Sequence, residues 1–413
     1  MKFEVIKRSH VKRNILIGVI IVLILIAVIL TFTRAKYRIT KSLPLVNGTI
    51  NYELSDFNLI GAYIQEGDNY IQVNEIPTSG YEFNAEKSYC TVNNENINAT
   101  LNYDMETQNL TITPLTTKGT KCYLYFDEKA SGGDYILAGD NPPTNSTTDW
   151  TGGTSYYYTG NPNNWVQFAG FWWRIIRING DGTIRMIYQG TSANTTGTGT
   201  QIGESFFNSS YNNNMYVGYM YTSGQRQGTG SSSAIKGVLD QWYSVTSGLT
   251  AYSDYIDGNA GFCGDRRVSS GNGIGTSVTN YQPYTRISNS SPSLSCEDAD
   301  IYTTTDSSTG NKSLTYPIGL ISADEAMFAG IPIWNNSSPS NYLCTEEYYW
   351  TMSPSFFEGI SAYVFNIDSS GSLVDNYYVN RTHRVRPVIN LRADVSLTGS
   401  GTTSDPFKVV GAS

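Results

Sequence analysis

Residues 15–33, ILIGVIIVLILIAVILTFT, carry no charge. At roughly 1.5 Å per residue, a helix of that length spans the hydrocarbon core of a bilayer. Lys2, Lys7, Arg8, Lys12 and Arg13 precede the run against one acid, Glu4, and a basic leading flank is retained in the cytoplasm. The sequence therefore predicts a cytoplasmic tail at 1–13 and a single-pass transmembrane signal-anchor at 14–33 whose partner is the lipid bilayer. The remaining bulk is expected outside the plasma membrane. A cleaved secretory signal begins in the same way but ends in a small-x-small site; here the exit reads Thr31, Phe32, Thr33, Arg34, which favours the uncleaved anchor.

Charge separates along the chain. Residues 1–41 hold nine of the 27 Lys and Arg and one of the 35 Asp and Glu, leaving 18 bases against 34 acids beyond. That sign repels phosphate backbones, so nucleic acid is not an expected partner. The 31 Tyr, 39 Gly and long Asn, Ser and Thr tracts fit a surface protein of short strands and polar turns.

All five cysteines follow the apolar run, as suits an oxidising compartment. Spacing pairs Cys90 with Cys122 and Cys263 with Cys296, leaving Cys344 over. A zinc site is disfavoured, because there is no CxxC and the only histidines are His10 and His383.

Residues 43–127 alternate apolar and polar positions, as at Leu110 and Ile112 and at Cys122, Leu124 and Phe126, between Gly and Asn turns. They predict a small all-β, immunoglobulin-like module whose sheets one cysteine pair would staple, although no Trp precedes Trp150. Residues 128–160, rich in Gly, Pro, Ser and Thr, read as a linker or loops. Residues 161–413 open on a hairpin, Trp172–Ile178 and Thr183–Tyr188 about the turn Asn179–Gly182. A helix is expected at Ser233–Tyr243, with Ile235, Val238, Leu239 and Trp242 on one face. A second is signalled by the capping box of Ser322 and Glu325. Strands are expected at Tyr349–Met352, Ala362–Ile367, Leu373–Val379 and Arg384–Leu391. The pattern is α+β and strand-dominated.

Phe168–Tyr188, Ser253–Arg266 (SDYIDGNAGFCGDR), Tyr316–Gly330 (YPIGLISADEAMFAG), Tyr349–Pro354 (YWTMSP) and Val385–Leu391 (VRPVINL) resemble a family of anchored surface proteins from low-GC gut bacteria to which no activity is assigned. The resemblance covers most of residues 130–413. More distantly, the Trp-rich and closing strands look like C-type lectin-like domains, a group that includes formylglycine-generating enzymes, and this implies a C-type lectin-like fold for 161–413. The enzymes rely on a C-terminal cysteine pair, and here only Cys344 lies in that region. Calcium-holding lectins use Glu-Pro-Asn or Gln-Pro-Asp triplets and Trp-Asn-Asp; the sequence has neither triplet and offers only Trp334, Asn335 and Asn336 as an approach to the last.

Catalytic constellations are sparse. His383 lies among Arg381, Arg384 and Arg386, with no GxSxG elbow in the chain, and reads as a surface or strand histidine. Asp324 and Glu325 read as first-turn helix charges and Glu346 and Glu347 as a solvated strand lead-in, not as a glycosidase pair. Asp181 and Asp368 read as turn residues, because EF-hand spacing is missing, although a structural calcium among the Asp and Asn loops stays open. Trp and Tyr on polar loops can stack on sugars or anchor proteins. Tyr156, Tyr157 and Tyr158, together with Trp165 and Trp173, are the expected contact residues. The expected function is non-catalytic binding or adhesion to an extracellular glycan or protein ligand without a cofactor; the alternative is a cell-envelope hydrolase or modifying enzyme.

Overall fold

The computed structural model describes residues 57–412, apart from 78–79, 106–107, 115–118, 308 and 335. The expected tail at 1–13 and anchor at 14–33 lie outside the described residues. Among the described residues no helix is long and apolar enough to cross a membrane. The chain divides into two compact units at Asp127/Glu128, and strands dominate both.

The first unit is a five-stranded sheet ordered Asn69–Val73, Phe57–Glu66, Thr120–Glu128, Tyr81–Val92, Glu95–Asn96, with a separate hairpin of Thr100–Asp104 and Asn109–Thr113. Alternation in Thr120–Glu128 sends Cys122, Leu124 and Phe126 inward to meet Ala62, Leu101 and Tyr103. Its first and last long strands, Phe57–Glu66 and Thr120–Glu128, run parallel. The Cys90–Cys122 disulfide forms, with 4.1 Å between Cα atoms. It joins neighbouring strands of one sheet, not two facing sheets as the immunoglobulin comparison implied. A cross-strand Cα separation of roughly 4.5 Å is what a directly opposed pair provides.

The second unit begins at Glu128, so residues 128–160 are folded structure and not a linker. Gly132–Ala138 is a helix capped by Ser131, whose hydroxyl accepts the Asp134 N–H at 3.0 Å. Asn145–Thr148 and Thr154–Tyr157 form a hairpin whose second strand joins Phe171–Ile178. The Gly-rich composition serves close packing here. Gly153 and Gly180 face each other so tightly that a Cβ on either would sit 2.6 Å from the other's backbone. Asp149 ties the two turns together, accepting from Ser155 Oγ and from Gly180 N.

Beside two small pairs, Met220–Tyr221 with Ser231–Ser232 and Phe262–Cys263 with Ile301–Tyr302, two large sheets build most of the rest. One is ordered Val388–Leu391, Ile184–Gly190, Phe171–Ile178, Trp165–Phe168, Phe407–Val409, Leu397–Thr398; the Phe407–Val409 strand lies parallel to Trp165–Phe168. The other is ordered Gly203–Phe206, Thr382–Val385, Tyr349–Phe357, Thr279–Tyr281, Val268–Ser270, with Ala362–Ile367 and then Leu373–Val374 added beside Tyr349–Phe357. Every residue of Ile184–Gly190 and Ala362–Ile367 is buried, so both faces of these central strands are covered. The expected hairpin at 172–188 is present; Gly182 supplies the positive φ of its turn at +82°. The strand expected at Leu373–Val379 ends at Val374, because the chain leaves the sheet to form a loop described below.

The helix Ala234–Val245 is capped by Ser233 and buries Ile235, Leu239 and Tyr243. Trp242 packs partly buried against Phe171 and Tyr188. The capping box at Ser322 forms and starts the helix Ala323–Phe328. Its Glu325 is more than a first-turn charge: it is buried and takes Arg177 from one strand and Arg185 from the next. Burial alone would raise the Glu325 carboxyl, but Arg185 and then Arg177 hold it down at about 2. Asp324 is buried as well, in a two-pronged pair with Arg286, and its carboxyl is nonetheless raised, chiefly by desolvation. Glu325 pins its helix to two strands and Asp324 pins the same helix to the helix Gln282–Ser288, and both acids are consumed in doing so. The Cys263–Cys296 disulfide also forms, leaving Cys344 as the free cysteine.

Candidate ligand-binding groove

Three of the five aromatic residues expected to contact ligand are buried. Trp173 has no exposed surface and its indole N–H donates to Phe168 O at 3.0 Å. Its strand is covered on both faces, so alternation along it does not yield an outward position. Trp165 lies under the Arg174 guanidinium, 4.0 Å from its ring, and edge-on to Trp172. Tyr158 is buried, donates its hydroxyl to Asn141 O, and its phenol is pushed up by desolvation. Tyr156 and Tyr157 keep partial exposure, but Tyr157 rests on Phe328, ring centroids 4.8 Å apart. These five side chains therefore do not make a common surface.

Exposed aromatic surface gathers elsewhere in the second unit. Tyr211 and Tyr378 stack with ring centroids 5.9 Å apart and planes 15° from parallel. Tyr363 meets Tyr378 edge-on, Phe356 stacks on Tyr363 at 4.2 Å, and Tyr284 meets Phe356 edge-on. The five rings form a continuous chain. Tyr211 and Tyr378 line a groove of about 470 Å³ with Ile360, Asn212, Thr276 and Ser361. Ile360 is 70% exposed and Tyr211 39%, so an apolar wall stands open to solvent.

Main-chain hydrogen bonds fix these walls. Ala362 N donates to Tyr211 O, Val379 N to Ala362 O, and Asn208 N to Val379 O, which wedges the 376–381 loop between two others. Tyr363 and Tyr378 form an isolated antiparallel bridge. Gly359, at φ +98°, makes the sharp turn that exposes Ile360. The Asn214 side chain donates to Gly275 O and Ser277 O, holding the loop that carries Thr276.

A second ring cluster adjoins the same loop. His383 lies among Trp350 at 4.5 Å, Tyr377 at 4.9 Å and Tyr348 at 5.4 Å. Burial lowers its pKa to about 4, with the Arg381 cation acting in the same direction, so the imidazole is neutral at pH 7. His383 stands in the strand Thr382–Val385, as the sequence suggested, opposite Ser205 of the neighbouring strand, whose hydroxyl donates to Phe206 O.

The acids weighed as catalysts are not at the groove. Glu347 accepts from Arg384 and Glu346 is exposed. Asp181 and Asp368 spend their oxygens on their own turns: Asp181 on Thr183, Asp368 on Ser370 and Ser372. Among the described residues no group of three or more His, Cys, Asp and Glu converges as metal donors. The groove instead offers flat apolar rings flanked by hydroxyl and amide groups, which suits non-covalent recognition of a ligand with one apolar and one polar aspect.

Sequence reasoning missed Tyr211 and Tyr378. The signal was the same one that selected Tyr156–Tyr158, tyrosines in a polar tract, here SSYNNN and DNYYVN. Comparison with protein families, with curated proteins and with solved structures finds no match.

Proposed function

We propose that this chain is a non-catalytic surface protein, anchored in the plasma membrane by residues 14–33 with its N-terminus cytoplasmic, which binds an extracellular glycan through the Tyr211–Tyr378 groove. The near-parallel tyrosine pair at the mouth of a groove lined by amide and hydroxyl groups carries this reading. Sugar rings present an apolar C–H face that stacks on aromatic planes and an edge of hydroxyls that pairs with groups such as Asn212, Thr276 and Ser361. The uncharged run at 15–33 and the two disulfides support the anchored, extracytoplasmic placement. The strand-dominated α+β second unit, whose closing strand Phe407–Val409 lies beside the early strand Trp165–Phe168, supports a C-type lectin-like architecture. The parallel first and last strands of the 57–127 sheet support an immunoglobulin-like module.

The test is binding of the full chain in detergent micelles to an array of mucin, peptidoglycan and other glycans, with and without EDTA, beside Tyr378→Ala. Saccharide binding that survives EDTA and falls at least about tenfold in Tyr378→Ala is expected, since stacked aromatics contribute on the order of 1 kcal/mol or more each. No glycan bound in either buffer, or unchanged binding by Tyr378→Ala, overturns the proposal.

A further inference from the structure

One arginine beside the groove pairs with no carboxylate among the described residues. Two arginines are exposed among the described residues, Arg392 and Arg381. Arg392 is paired with Asp394. The half-exposed arginines are also engaged, Arg384 with Glu204 and Glu347, Arg267 with Asp265, and Arg226 with Glu297. Arg381 has no carboxylate partner among the described residues. Its guanidinium stands 5.8 Å from the centroid of the Tyr378 ring, and a turn closed by Arg381 N donating to Tyr378 O places it there. In residues 128–413 acids outnumber bases, so an unpaired exposed guanidinium would ordinarily find a neighbouring carboxylate; this one is held over an aromatic wall instead.

From this, and resting on the glycan reading above, we propose that the groove takes a saccharide bearing a carboxylate, of the uronic or sialic type. The sugar ring stacks on Tyr211 and Tyr378 while its carboxylate pairs with Arg381. A guanidinium presents a planar fork of donors that matches a carboxylate two-pronged, and a cation already stacked on a ring loses less freedom when it binds. Charge complementarity also limits the class. Glu358, whose neighbour Gly359 lines the groove, is exposed and accepts the Tyr363 hydroxyl at 2.9 Å. Its negative charge at the rim opposes a densely charged polymer, so the fitting ligand carries an isolated carboxylate and not a run of sulfates.

The experiment compares the full chain with its Arg381→Gln variant on three sets of immobilised glycans: neutral, carboxylated and heavily sulfated. The side chain is exposed, and circular dichroism is the check that the variant folds. The parent is expected to prefer carboxylated glycans to neutral ones by roughly tenfold. Arg381→Gln and raised ionic strength should each remove that preference. Equal binding of neutral and carboxylated sets, preference for the sulfated set, or a preference that Arg381→Gln leaves intact overturns the carboxylate assignment and leaves the glycan reading standing. Failure to bind any of the three sets overturns both.

Discussion

Glu325 Oε1 accepts from Arg177 Nε at 2.9 Å across 148 residues of chain, with both side chains almost wholly shielded from water. The same carboxylate closes the capping box of its own helix through Ser322 N and receives Arg185. One acid thus caps a helix and neutralises cations from two neighbouring strands. Glu325→Gln keeps the shape and leaves buried guanidinium charge uncompensated, a change expected to cost about 3–5 kcal/mol. Denaturant midpoints read it. The folded pKa of about 2 lies below the ordinary glutamate value of about 4.3, so the unfolded chain takes up the proton first. The contribution of Glu325 is therefore full above about pH 4.3 and lost as pH falls toward 2. Parent and Glu325→Gln stabilities should converge across that window.

His383 follows the other kind of group to a similar direction. Its folded pKa of about 4 is depressed from about 6.5, so between these values the unfolded state holds more protons. Stability that rests on the neutral ring is complete above about pH 6.5 and declines as pH falls toward 4. Titration of the His383 ring by NMR should show an inflection near 4, and His383→Phe should flatten the stability profile between 4 and 6.5. An inflection near 6.5 would mean that the ring is not enclosed by Trp350, Tyr377 and Tyr348.

Gly180 is fixed by space and not by dihedral angle. Ala at this position would place its Cβ 2.6 Å from Gly153 backbone, and overpacking of this kind costs typically about 1–3 kcal/mol. Gly182→Ala, at φ +82° with only the Ala393 methyl nearby, meets mainly backbone strain of about 1 kcal/mol. Thermal denaturation should rank Gly180→Ala below Gly182→Ala.

The Cys263–Cys296 bridge spans 33 positions, a loop for which the chain-entropy estimate is on the order of 3–4 kcal/mol. Replacing both cysteines by Ser should lower unfolding stability by up to that amount in non-reducing buffer. In excess reductant the parent and the variant should unfold alike.

Local signals were the legible ones. The hairpin about Asn179–Gly182, the capping box of Ser322 and Glu325, the helix following Ser233 and both cysteine pairings depend on residues close in sequence or on simple spacing, and all are present. The helix at 234–245 buries Ile235 and Leu239 of the expected stripe together with Tyr243, and leaves Val238 and Trp242 partly buried. What the sequence hid was long-range. Nothing local distinguishes Glu325 as a solvated first-turn acid from Glu325 as the anchor of Arg177 and Arg185. Nothing separates Trp173, with both faces of its strand covered, from an outward tryptophan. Tyr211 and Tyr378 meet only because the 376–381 loop leaves the sheet where alternation predicted more strand. The glycine-rich 128–160 stretch misled for a related reason: Gly153 serves contact with Gly180, and composition alone reads such a residue as slack.

The parallel seating of Phe407–Val409 against Trp165–Phe168 bears on the order in which the chain can acquire its form. A ribosome delivers residue 165 more than two hundred residues before residue 407. Until residues 407–409 have left it, one flank of an early strand stands bare. The second unit therefore closes only after that strand has emerged, and a product truncated before residue 404 would retain most of its apolar interior while exposing a strand edge ready to pair with another copy.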